Sequence, residues 1–207
     1  YLAELVEYWR GEYDWRRAEA MLNAFDNYVT EVDGTRVHFI HERSPEPDAL
    51  PLILTHGWPG SVVEFLKVIG PLADPDDGGD AFHVVCPSLP GYGFSGKPGQ
   101  AGWGVERIAR AWAELMARLG YSRYGAAGSD WGTTISTLLG QQDRAHVAGV
   151  HLIPPLAGPD PATLEDLTDA ERAAMKSLEY AAEWDSGYSR EHATRPQTVG
   201  YGLVDSP

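Results

Sequence analysis

The chain has 207 residues, 43% of them hydrophobic and 22% charged, with a net charge of −14. That length and composition suit one domain, or one domain plus part of a second, with a sizeable core. The acidic balance argues against nucleic acid or anionic membrane as a partner and fits a neutral small molecule. The single cysteine, Cys86, excludes an internal disulfide. It lies in the apolar run 82–86, where a buried inert thiol is expected, and it points to a reducing cytoplasm. No apolar run reaches membrane-span length, no membrane contact is evident, and no signal peptide is visible. Because Tyr1 is not an initiator methionine, a leader or anchor ahead of it stays open.

In chain order, Leu2, Leu5, Val6 and Trp9 fall on one face of a helix, and Ala18, Met21, Leu22 and Phe25 repeat the pattern after Gly11. This lead-in, residues 1–27, carries Tyr8, Trp9, Tyr13 and Trp15 and is expected to pack against a larger body. Residues 28–32, Asp33-Gly34 and residues 35–42 predict a β-hairpin with a type I′ turn. His38 and His41 then fall on opposite strand faces, which speaks against a metal site. Residues 50–55 form a continuous apolar run, as in a strand buried on both faces. His56-Gly57-Trp58-Pro59-Gly60-Ser61 follows, and Ser61-Val62-Val63-Glu64 fits a capping box that starts a helix at 62 and carries it to 71. The acidic stretch 74–80 lacks calcium-loop spacing and predicts a surface loop. Further strands are expected at 82–86, 124–127 and 148–153, with helices from Val105 to Gly120 and over 133–142. Strand and helix thus alternate three times before a last strand, which implies right-handed crossovers and a parallel sheet. After Pro154-Pro155 the character changes. Thr168-Asp169-Ala170-Glu171 is a second capping box, opening a helix that carries Ala174, Leu178, Ala181 and Ala182. The expected organisation is an α/β body over 28–155 and the beginning of a helical cap over 156–207.

Gly128-Ser129-Asp130-Trp131-Gly132 sits between a predicted strand and a predicted helix, the setting of a nucleophile elbow. A strained elbow needs small residues two before and two after its apex. Asp130 has Gly128 and Gly132 there, whereas Ser129 would have Ala127 and Trp131, so Asp130 is the apex. A carboxylate attacking an sp³ carbon forms an alkyl ester that water can cleave, while a serine would form a dead-end ether. The elbow therefore points to epoxide opening or halide displacement. The His56–Ser61 loop follows the first buried strand, as an oxyanion-hole loop does. The backbone N–H groups of Trp58 and Trp131 are the candidate oxyanion donors, and Pro59 has none to give. Trp58, Pro59 and Trp131 are the expected pocket lining. His56 precedes its own loop and is read as a structural residue bonded to backbone.

His56–Ser61, Pro90–Ser95, Gly128–Gly132 and Ser186–Thr198 together resemble the microsomal-type epoxide hydrolases of the α/β-hydrolase superfamily. Tyr8-Trp9 and Tyr13-Asp14-Trp15-Arg16 are similar to that family's N-terminal segment. The resemblance implies an α/β-hydrolase core with a mostly parallel sheet and a helical cap. It also implies conversion of a small apolar epoxide to a vicinal diol, through a covalent ester and without a cofactor. Asp130 matches the family's nucleophile, Trp58 and Trp131 its oxyanion donors, and Tyr188 in Ser-Gly-Tyr the first of two cap tyrosines that protonate the epoxide oxygen. A phenol can donate to a developing alkoxide while neutral near pH 7. In that family the acid, the histidine base and the second tyrosine come later, and none of the seven histidines here stands in the base position. The chain is thus expected to stop inside its cap, at Asp205-Ser206-Pro207, and to form the ester but not release it. Two other readings stay open. One is a haloalkane dehalogenase, which uses the same elbow; Ser186-Gly187-Tyr188 and Thr194-Arg195-Pro196 weigh against it. The other is a non-catalytic binding module or inactive fragment, whose open apolar surface predicts homo-oligomerisation or aggregation.

Overall fold

The computed structural model describes residues 1–155 and 158–205. The expected end of the chain within a cap, at Ser206 and Pro207, lies outside them. The chain divides into two compact units, Tyr1–Leu156 and Ala157–Pro207.

The first unit opens with α1 (Leu2–Gly11) and α2 (Trp15–Leu22). Asp14 caps α2, accepting the Arg16 N–H at 2.9 Å. Within this lead-in Leu2, Leu5, Val6 and Trp9 of α1 are exposed, while Phe25 at its end packs against the core under α3. The helical spacing of those four made the helix but left its apolar face open. Leu5, Tyr8, Trp9, Tyr13 and Trp15 instead line a cleft of about 780 Å³ among themselves.

The sheet is built from β1 (Asn27–Val32), β2 (Thr35–Glu42), β3 (Leu50–Thr55), β4 (Phe82–Pro87), β5 (Tyr124–Ser129) and β6 (Val147–Ile153), in the order β1-β2-β4-β3-β5-β6. Asp33 (φ 49°) and Gly34 (φ 72°) supply the two positive angles that let β1 and β2 pair antiparallel. From β3 on, neighbours pair parallel, with β3 in the middle between β4 and β5. The connecting helices are α3 (Leu66–Ala73), α4 (Val105–Arg118) and α5 (Trp131–Gln142).

Alternate side chains of each strand enter opposite layers. Phe39, Ile53, Val85 and Ala126 join Ile108, Trp112, Leu115, Met116, Ile135 and Leu139 in one core, under α4 and α5. Their sequence neighbours Ile40, Leu54, Val84 and Ala127 join Val62, Ile69 and Ala73 in a second core, under α3. The strands β2 to β5 are therefore covered on both faces, the usual condition for parallel strands. The predicted α4 stripe is the buried one, and Trp112 is fully enclosed. Cys86 is a free buried thiol whose pKa is pushed up, first by burial and then by the charge of Glu64. The outermost strand, β6, is mostly exposed although its sequence is apolar.

The second unit is helical: α6 (Asp169–Tyr180), a π-turn over Ala181–Asp185, α7 (Gly187–Thr194) and α8 (Pro196–Asp205). The Thr168–Glu171 capping box is present in both directions. Among the described residues no helix is long and apolar enough to cross a membrane.

His41 is buried on β2, with its Nε2 2.8 Å from Tyr121 Oη. Burial pulls its pKa down to about 4, with Arg43 and His83 adding to the fall and Asp26 opposing it. The folded chain keeps this ring neutral where the unfolded chain would bind a proton. Its contribution is therefore whole above about pH 6.5 and drains as pH falls through the folded value. Urea melts should show a midpoint that drops across this window, with a shallower drop in His41→Gln. Equal slopes in the two proteins would contradict the assignment.

Candidate active site

Asp130 is the one residue between the end of β5 and the start of α5. Its backbone stands at φ 52° and ψ −120°, outside the regions that non-glycine residues favour. Such a conformation costs on the order of 1–3 kcal/mol and persists only where the surroundings impose it. Here the surroundings are backbone. A Cβ on Gly128 would strike the carbonyl of Gly132, and a Cβ on Gly132 would strike the carbonyl of Thr55 at the end of β3. Two glycines thus let strand end and helix start cross at contact distance. Thr133 holds the crossing: its Oγ1 lies 3.0 Å from the Gly128 carbonyl and 2.9 Å from that of Ile153, sharing its hydrogen between them. The Asp130 N–H also donates to the Ile153 carbonyl, at 3.3 Å.

The carboxylate at this apex meets the loop after β3. The Trp58 N–H donates to Asp130 Oδ1 at 2.8 Å. Gly57 permits the approach, because a Cβ there would occupy the space of the Asp130 carboxylate. Trp131 is the first residue of α5, so its N–H belongs to the turn whose amides have no intrahelical acceptor. Asp130, Pro59 and Trp131 are exposed and Trp58 is half-buried, so the apolar face expected as pocket lining is open to solvent. Ser129 closes β5 and turns its hydroxyl to Glu64, donating to Oε1 at 3.2 Å.

His56 is fully buried and spent on backbone. The Leu89 N–H donates to Nε2 at 3.0 Å, which places the ring hydrogen on Nδ1, 2.9 Å from the Gly57 carbonyl. Burial lowers its pKa, so it stays neutral and braces the loop. Tyr92 stands edge-on to that ring at 5.7 Å. Its phenol is pushed up by burial and then by the charge of Asp130. Tyr188 lies in the other unit, in the first turn of α7, exposed and edge-on to His192 at 6.2 Å. Among the described residues no group of three or more His, Cys, Asp or Glu side chains is placed to hold a metal.

Sequence reasoning missed Thr133, Tyr92 and Glu64. Thr133 carried a usable signal, a hydroxyl three residues past the apex, where it can reach back to the strand end. Tyr92 stood in the motif 90–95 but had no residue-type reason to face an aspartate. Glu64 was assigned to a capping box with Ser61. Ser61 does accept an N–H, from Val63 at 3.3 Å, but the Glu64 carboxylate goes to Ser129 instead. The first turn there is a 3-10 turn, Val62–Phe65, and α3 begins only at Leu66.

A strand–elbow–helix at the carboxyl edge of a parallel sheet, faced by an N–H-bearing loop, defines an α/β-hydrolase. Residues 51–198 match the family model for the alpha/beta hydrolase fold, and residues 1–65 match that for the epoxide hydrolase N terminus. The chain belongs to the α/β-hydrolase fold family, and its first 65 residues carry the epoxide hydrolase N-terminal segment. A relative from Stigmatella aurantiaca (strain DW4/3-1), provisionally named an epoxide hydrolase, is 54% identical over the whole chain and 48% of its own length. The crystal structure of juvenile hormone epoxide hydrolase from the silkworm Bombyx mori superposes with a TM-score of 0.83 at 31% identity, over 100% of this chain and 53% of that one. The structure of Aspergillus niger epoxide hydrolase gives 0.82 at 36% identity, over 98% and 54%. The chain thus spans about half the length of the relatives it matches.

The glycine crossing sets a sharp contrast for mutagenesis. Gly132→Ala should cost about 3 kcal/mol or more, since backbone, not a flexible side chain, would have to move. Gly149→Ala on β6, where an added Cβ meets nothing within 4 Å, should be neutral or slightly stabilising. Denaturant midpoints of the two variants check this, and similar losses in both would refute it.

Proposed function

We propose that the protein hydrolyses epoxides through an ester on Asp130. The observation that supports this most is the Trp58 N–H on Asp130 Oδ1. With Oδ1 so held, Oδ2 attacks the less hindered epoxide carbon. The ring C–O bond breaks, its electron pair goes to the epoxide oxygen, and the Tyr188 phenol supplies the proton. Oδ1 becomes the ester carbonyl oxygen and already faces its donor. Water then attacks Cγ, and the oxyanion forms on Oδ1 against the N–H groups of Trp58 and Trp131. Collapse breaks the Cγ–Oδ2 bond and releases a vicinal diol that carries Oδ2; of the two water protons one ends on that hydroxyl and one on the Tyr188 phenolate, and the water oxygen stays in Asp130. In the family the histidine that activates this water and its acid partner follow the cap, and no residue of these 207 is given that role.

Trp58, Pro59 and Trp131 present an apolar, aromatic face, which suits a small apolar epoxide. The buried Cys86 thiol favours a reducing compartment, the cytoplasm. The open α1 face and β6 favour self-association.

Rapid mixing with styrene oxide and intact-mass spectrometry test the proposal. The protein should gain the mass of one epoxide, Asp130→Asn should gain none, and Tyr188→Phe should react about 10-fold or more slowly. Absence of an adduct would favour a binding module, and halide release from a chloroalkane with no epoxide adduct would favour a dehalogenase. Either result would overturn the proposal.

A further inference from the structure

We infer that Glu64 is a positioning residue, a carboxyl strut between the oxyanion loop and the elbow that keeps the Trp58 N–H on Asp130. This builds on the nucleophile assignment above. Two pieces of chain meet the Glu64 side chain at three points. The elbow reaches it through the Ser129 hydroxyl, at 3.2 Å from Oε1. The loop reaches it at Gly60, where a Cβ would lie 3.1 Å from Oε2, so the carboxyl rests on the bare α-carbon. The loop meets it again at Gly57, whose backbone favours the charged form of Glu64. Gly57 is also the residue that Asp130 packs against and the one before Trp58. A single side chain therefore touches both sides of the Trp58–Asp130 contact without taking part in it.

The alternative is an ordinary helix-start glutamate. That role would send the carboxylate back to the Ser61 backbone N–H, as Glu171 does to Thr168, its N–H lying 2.7 Å from Oε2. Glu64 departs from that pattern although Ser61-Val62-Val63-Glu64 has the sequence for it. Its placement also carries a cost. Burial raises its pKa, and so does the charge of Asp130, while Ser129 and Gly57 oppose the rise. Glu64 is nevertheless exposed, and free to turn back to its own helix start, yet its carboxylate is turned to the elbow.

The test has two readouts. Hydrogen exchange at the Trp58 amide, followed by NMR, reports the strut without any chemistry. Glu64→Ala should speed that exchange about 10-fold, Glu64→Gln, which keeps an acceptor for Ser129, should change it little, and Ser129→Ala should fall between. The rate of ester formation with styrene oxide should follow the same order. The double variant Glu64→Ala/Ser129→Ala should react no more slowly than Glu64→Ala alone, and initial epoxide binding should be unchanged. If Glu64→Ala does not fold, the Ser129→Ala and Glu64→Gln pair still decides. Unchanged Trp58 exchange in Ser129→Ala and in Glu64→Ala, where it folds, would overturn the strut. A wild-type protein that forms no adduct but shows the exchange pattern would overturn the nucleophile reading and leave the strut standing.

Discussion

The site depends on how closely the start of α5 can approach the end of β3. At Gly132 the helix backbone lies against the Thr55 carbonyl with no room for a side-chain carbon. That contact forces the turn between β5 and α5 to be one residue long, and a one-residue turn forces the residue in it to a positive φ. The carboxylate of Asp130 is then carried up to the loop after β3, where the Trp58 N–H meets it. Gly57 does for the loop what Gly132 does for the helix. The placement of the proposed nucleophile thus follows from the bare α-carbons of Gly57, Gly128 and Gly132, and Thr133 ties the arrangement to β6.

Electrostatics follow from that placement. In the mechanism proposed above, a backbone N–H aimed at one carboxylate oxygen stabilises negative charge before the reaction and again in the tetrahedral intermediate, with little rearrangement between the two. The same region holds a second carboxyl, Glu64, whose proton affinity rises with burial and with the charge of Asp130. Two acids so close are unfavourable unless each has its own donors. Asp130 has Trp58, and Glu64 has Ser129. His56, the only histidine in the loop motif, is used up in bracing backbone and stays neutral.

Much of this was legible in the sequence because it rests on local rules. Strand alternation placed Ile53 and Leu54, or Val84 and Val85, in opposite cores. The Asp33-Gly34 pair announced its turn, and the paired glycines around Asp130 chose its frame over that of Ser129. What was not legible depends on long-range partners. The periodicity of α1 showed a helix but not what covers it, and the face is exposed. The sequence of β6 announced a strand, but its exposure depends on neighbours that a strand's own sequence does not name. The Ser61–Glu64 spacing predicted a local bond, while the actual partner, Ser129, lies 65 residues away. Tyr188 owed its weight to a resemblance alone.

The central claim is that a carboxylate at the elbow attacks carbon and is later cleaved at its own carbonyl. The most direct measurement isolates the styrene oxide adduct, releases it with mild base in heavy-oxygen water, and maps the peptides. Attack at the ester carbonyl should release the diol and leave one heavy oxygen in the side chain of Asp130, with none in the diol. An adduct that survives base, as an ether on Ser129 would, or a heavy oxygen found only in the diol, would contradict it.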